Sequence, residues 1–120
     1  MESLRKREDF RRLRVSGRSF RGRNFDVRVL RTRSTQELLI GFAIPKRVGT
    51  AVKRNKVRRR LRAATRVLSA EGKWNPGLYL VFAKEGSALA TYNDIVGELA
   101  GLVEASSSEK SRGRGKSSDG

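Results

Sequence analysis

The chain has 120 residues, with 28 Lys or Arg against 12 Asp or Glu, a formal net charge of +16, and neither cysteine nor histidine. This composition excludes disulfides, thiolate nucleophiles, Cys/His zinc centres and histidine-based acid–base or triad chemistry, and it leaves a surface that repels itself unless a polyanion neutralises it. The length suits one small domain, and no stretch approaches the roughly 18 consecutive apolar residues of a membrane span, nor does an apolar segment follow the basic N-terminus; the expectation is a cytoplasmic protein, with nucleic acid and not a membrane as its partner.

In chain order, residues 6–16 place Phe10 and Leu13 three apart among charges, with Asp9 near the start and Gly17 after the end, which predicts a short helix. Phe25, Val27 and Val29 alternate with Asn24, Asp26 and Arg28, the pattern of a strand buried on one face; a further short strand fits near Ser19 to Arg21. A polar link, 32–37, leads to the apolar run 38–44, a buried strand ended by Pro45. A long helical pattern follows over 51–68, closed by Gly72 and Pro76, and residues 78–83 read as another buried strand, with Tyr79 packed in it. Trp74, beside Asn75 and Pro76, fits a plug of the loop against the sheet better than a platform for a base, and Lys84 and Glu85 fit a solvated strand end. Thr91 and Asp94 form a capping box that opens a last helix with Ile95, Leu99, Leu102 and Val103 on one stripe. The order α-β-β-α-β-α implies an α/β (α+β) two-layer sandwich, a small sheet with helices packed on it, spanning residues 1–105. Residues 106–120 lack apolar side chains and predict a disordered Ser/Gly-rich tail; with four basic and two acidic residues it leaves +14 on the folded part.

The helix at 51–68 concentrates the chemistry. It holds eight Lys or Arg and no acid, and from Leu38 to Ala70 there are ten basic residues and no carboxylate, so no magnesium ligand of the protein's own lies there. At about 100° per residue Val57, Leu61, Ala64 and Leu68 fall within roughly 60° and form a buried stripe. Asn55, Arg59, Arg62 and Arg66 fall on the opposite side, where the planar guanidinium fork suits phosphate oxygens. Lys53, Arg54, Lys56, Arg58 and Arg60 widen the positive field, and Lys46 and Arg47 extend it into the preceding loop. A merely solvated basic face is the commoner meaning of a charge run, but solvated helices mix signs, and localisation-type basic runs need no apolar stripe in phase with the charges.

The segment Gly41-x-x-x-Pro45-Lys46-Arg47-x-Gly49-x-Ala51-Val52-x-Arg54-Asn55-Lys56-Val57-x-Arg59-x-x-Arg62 closely resembles the signature of the bacterial ribonuclease P protein family. With Glu8-Asp9-Phe10, Gly17 and the strand and helix that follow Leu78, the resemblance covers roughly Lys6 to Glu104. It implies a ribonuclease P protein-like fold with a left-handed βαβ crossover, an exception to the usual handedness. It also implies a non-catalytic subunit of a ribonucleoprotein whose large RNA, with bound magnesium, cleaves the 5′ leader from precursor tRNA. The protein would bind no cofactor or small-molecule substrate itself, and none of its residues would be catalytic.

By the same resemblance Arg54, Asn55, Arg59 and Arg62 contact the catalytic RNA, and a cleft between the first helix and the sheet takes the single-stranded leader. Phe10 there fits either stacking on a base or packing beside Leu13. The chain departs from the family at Lys56, in place of the third residue of Arg-Asn-Arg, at Arg14, where the family often has a second aromatic, and at Arg28, where some members have an aromatic on the sheet; Arg14 and Arg28 thus become electrostatic candidates for the leader. The main alternative is a structural ribosomal-type RNA-binding protein, which the charge equally permits. A stand-alone nuclease using carboxylates is the second.

Overall fold

The computed structural model describes residues 2–4, 6–31 and 37–116, with the side chains of the last helix described through 107. The elements are β1 (Glu2–Ser3), α1 (Arg7–Ser16), β2 (Arg18–Arg21), β3 (Phe25–Leu30), β4 (Leu38–Ala43), a 3-10 turn (Lys46–Val48), α2 (Ala51–Ala70), β5 (Gly77–Ala83), a second 3-10 turn (Glu85–Leu89) and α3 (Tyr92–Lys116). The polar link expected at 32–37 lies outside the described residues except for Glu37.

The strands form one mixed sheet in the order β1-β4-β5-β3-β2. β4 and β5 are parallel and joined through α2, so they must be a crossover unit, whereas β3 runs antiparallel to both β5 and β2. The short strand anticipated near Ser19 to Arg21 is β2. β1, two residues paired with Leu39 and Ile40 of β4, is too short to carry any period and was not anticipated.

Period-2 alternation assigns each sheet face its own cover. Phe25, Val27, Val29, Ile40, Tyr79, Val81 and Ala83 point toward α2 and α3 and form the main core with Val57, Leu61, Ala64, Leu68, Ile95 and Leu99. The opposite face is covered only in part: Leu4 and Leu13 of the α1 side bury Leu78, with Phe10, Leu30, Leu39 and Leu80 half-buried around them. The helices thus make a sandwich with the sheet, and α1 adds a partial third layer. The run 78–83 is therefore not buried throughout, since Phe82 on the α1 face is 36% exposed.

Helix ends behave as their residues dictate. Thr91 and Asp94 exchange reciprocal bonds at the start of α3: the Thr91 N–H donates to Asp94 Oδ2 and the Asp94 N–H to Thr91 Oγ1, both at 3.1 Å. Gly72, at φ +70°, turns the chain out of α2. From α3, the Glu98 carboxylate accepts the backbone N–H groups of Asn24 and Phe25 at 2.7 and 2.8 Å and so holds the β2–β3 turn.

α3 continues past Ala105, the expected end of the folded part. Ser106 is buried, its hydroxyl donates to the Val103 carbonyl and accepts from Arg31 Nη2, and Ser107 Oγ accepts from Asn75 Nδ2 at 2.8 Å. Tertiary hydrogen bonds carry the helix past the last apolar residue and the helix runs to Lys116; positions 117–120 of the expected tail lie outside the described residues.

Candidate nucleic-acid interface

The site begins with how α2 is started. Gly49 sits at φ +151°, a backbone conformation that side chains disfavour, and lets the 3-10 turn pass directly into the helix. Thr50 then caps it, its hydroxyl accepting the Lys53 N–H at 3.3 Å. The first turn carries no acid, although a helix N-terminus is already positive, so Lys53, Arg54 and Lys56 stand where their repulsion is greatest and an anion most welcome.

Val57, Leu61, Ala64 and Leu68 are all buried, as the stripe requires, and they lock the rotation of α2 against the sheet and α3. Asn55, Arg59, Arg62 and Arg66 are consequently exposed, and with Arg58 and Ala63 they line an open groove of about 460 Å³. Arg58 leans across it, Nη1 donating to Asn55 Oδ1 at 3.3 Å. Lys53 and Lys56 are exposed on the same helix, and Lys46 and Arg47 are exposed in the turn before it. Ion pairs among the described residues include Asp9–Arg12 and Asp26–Lys84, neither of which involves α2, and no described carboxylate neutralises that helix.

Two basic residues of α2 serve the protein itself. Arg54 is half-buried and its Nε donates to the Gly49 carbonyl at 3.2 Å, bracing the turn; Arg60 Nη1 donates to the Ala90 carbonyl at 3.0 Å, tying α2 to the start of α3. Arg60 is half-buried and turned from the outer row toward the start of α3.

The cleft candidates separate in the same way. Phe10 is half-buried against Leu4, Leu13 and Leu78, Arg14 is exposed in the last turn of α1, and Arg28 is committed elsewhere. Its Nε donates to the Leu13 carbonyl at 2.6 Å, its Nη2 to the Arg14 carbonyl at 2.8 Å and its Nη1 to Ser19 Oγ at 2.5 Å. Arg28 thus closes the C-terminus of α1, adding to the Gly17 N–H on the Leu13 carbonyl and reaching the Arg14 carbonyl beside it. Lys84, expected in solvent, is half-buried and pairs with Asp26 at 2.9 Å. Trp74 and Tyr79 meet edge to face at 4.9 Å, which makes Trp74 a plug in the core. The residue overlooked is Phe82; in a wholly apolar strand, alternation alone does not tell which face is covered.

The model of the Ribonuclease P family matches residues 1–106. The chain is 35% identical over 104 residues to the ribonuclease P protein component of Clostridioides difficile strain 630, spanning 86% of this chain and 90% of that one. It belongs to the ribonuclease P protein family. A second relative, the ribonuclease P protein component of Gluconacetobacter diazotrophicus, is 33% identical over 96 residues, 80% of this chain and 83% of that one. The fold matches the RNase P protein of Staphylococcus aureus with a TM-score of 0.77 at 24% identity, covering 88% and 95% of the two chains. For the RNase P protein of Thermotoga maritima the TM-score is 0.74 at 23% identity, covering 88% and 97%.

As a ribonuclease P protein the chain is a subunit of an RNA-processing endoribonuclease. Its signature residues divide by task. Gly49 and Arg54 shape the entry to α2, Val57 anchors it, and Asn55, Arg59 and Arg62 are left facing outward. No helix among the described residues is long and apolar enough to cross a membrane.

Proposed function

We propose that the outer face of α2 docks on the catalytic RNA of ribonuclease P, and that the cleft between α1 and the sheet receives the 5′ leader of precursor tRNA. The observation that carries this reading is the row Asn55, Arg59, Arg62 and Arg66: a rigid, exposed line of donors with no described carboxylate to satisfy it. Guanidinium groups on such a line match successive phosphates along a strand, and each phosphate they neutralise releases counterions. By lowering repulsion between two RNAs, the protein reduces the magnesium needed for them to associate. The magnesium of the reaction is held by the RNA, the protein performs no cleavage, and the assembly is cytoplasmic. Arg14 serves the leader electrostatically, while Lys46, Arg47, Lys53, Lys56 and Arg58 extend the RNA-facing field.

The test is reconstitution. Added to protein-free ribonuclease P RNA at low magnesium, the chain should restore cleavage of precursor tRNA at the 5′ maturation site, and alone it should cleave nothing. Failure to stimulate a matched RNA would favour a structural ribosomal-type role; cleavage by protein stripped of all RNA would assign the chemistry to the chain.

A further inference from the structure

β5 is the central strand of the sheet, and its α1-side residues are Leu78, Leu80 and Phe82. Leu78 and Leu80 belong to the cluster beneath α1, but Phe82 belongs to neither hydrophobic cluster. It is the one large hydrophobic side chain on a strand that is 36% or more exposed among the described residues; Val15, Val52, Val67, Leu89 and Tyr92 lie on helices or in a turn. A singly exposed apolar residue is ordinary in itself, so what gives Phe82 meaning is its setting on the sheet face that α1 covers only in part.

Its neighbours fix what could lie on it. In register, Asp26 of β3 flanks Phe82 on one side and Ala43 of β4 on the other, and Arg21 of β2 is paired with Asp26, so all four share this face. Ala43 contributes a single methyl. Asp26 is neutralised by Lys84 Nζ at 2.9 Å, and Lys84 also donates to the Gly22 carbonyl at 2.7 Å, which holds the pair in place. Arg21 is exposed at the rim, as is Arg14 at the end of α1. An aromatic platform bordered by guanidinium groups, with its one acid cancelled, suits a single strand: the ring takes the face of a base and the arginines take the flanking phosphates. A duplex, whose bases are already stacked, offers no such face.

We infer that Phe82 is a stacking platform for one unpaired base of the leader, continuing the cleft beyond Phe10; this rests on the cleft reading above. The sheet presents the ring already ordered, so the contact acts on substrate binding and leaves the chemical step alone.

The experiment uses the reconstituted holoenzyme with leader-bearing precursor tRNA and with mature tRNA. Phe82→Ala should weaken the leader-bearing substrate about tenfold, the usual loss on removing one base–aromatic stack, appearing in KM and not kcat, and leave mature tRNA binding unchanged. Phe82→Trp should restore affinity and Phe82→Leu should not. Replacing leader nucleotides one at a time by abasic residues should reveal one position at which Phe82→Ala has no further effect. Equal losses for both RNAs, full rescue by leucine, or no abasic position that cancels the effect would each overturn the inference. If the unmodified holoenzyme has no preference for leader-bearing substrate, the cleft reading itself falls and this inference with it, an outcome separate from a leader preference that Phe82→Ala leaves intact.

Discussion

Two sets of arginines in this small protein do opposite work. Arg28, Arg31 and Arg60 turn inward: Arg28 closes α1, Arg31 donates to the Tyr79 hydroxyl and to both oxygens of Ser106, and Arg60 reaches the Ala90 carbonyl. Arg59, Arg62 and Arg66 point outward along α2 and meet no described carboxylate. The side chains are chemically identical; the difference is the supply of acceptors. Arg28 reaches the Leu13 and Arg14 carbonyls at the end of α1, Arg60 a turn carbonyl and Arg31 the Tyr79 and Ser106 oxygens, while the outer face of α2 places no backbone acceptor before Arg59, Arg62 or Arg66. Part of the charge of +16 is therefore internal bracing. The rest stays on the outer face of α2, where no described carboxylate meets it.

The largest expected effect that tests this division is on Arg28. Arg28→Ala removes three hydrogen bonds from a charged donor and leaves the Arg14 carbonyl at the end of α1 without that donor, so stability should fall by about 2–3 kcal/mol in urea unfolding, with the salt dependence of RNA affinity unchanged. If stability held and the salt slope dropped instead, Arg28 would belong with the outward set. A smaller effect is expected at the Arg31 site in alkali. Burial raises the Tyr79 phenol above its ordinary value of 10.0, against the lowering influence of Arg31. The folded protein therefore keeps the neutral phenol after the unfolded chain has begun to lose its proton. The stability contribution is fully present below about pH 10 and is lost as pH climbs through the raised folded value. Tyr79→Phe should flatten that alkaline decline relative to the parent, and an unchanged decline would show that other groups cause it.

How much of this was legible depended on the range of the interaction. The buried stripe and the outer row of α2 follow from spacing within one helix, and the Thr91–Asp94 box from spacing within one turn, so both could be read locally. Arg28 could not: its acceptors lie 9, 14 and 15 residues away on two other elements, and nothing next to Arg28 in the chain signals them. Ser106 looked like the start of a tail because its segment has no apolar residues, yet Arg31, 75 positions earlier, gives its oxygens a partner. Phe82 was hidden for the converse reason. Its strand is apolar on both faces, and only the length of α1 decides where cover ends.

The smallest expected change in stability, and the sharpest test of the outward set, is at Arg62. It is exposed, lines the groove beside Arg59 and Arg66, and has no described ionic partner, so Arg62→Ala should alter unfolding by no more than about 0.5 kcal/mol. Its removal should instead reduce the slope of log affinity for the catalytic RNA against log salt by up to about one unit, because one fewer phosphate sheds its counterion. Arg62→Lys separates charge from geometry: the point charge keeps the slope, while loss of the two-pronged donor lowers affinity at every salt concentration. If alanine leaves the slope where it was, Arg62 touches no phosphate. If lysine matches arginine in both slope and affinity, the face works through its field alone and the spacing of its forks is immaterial.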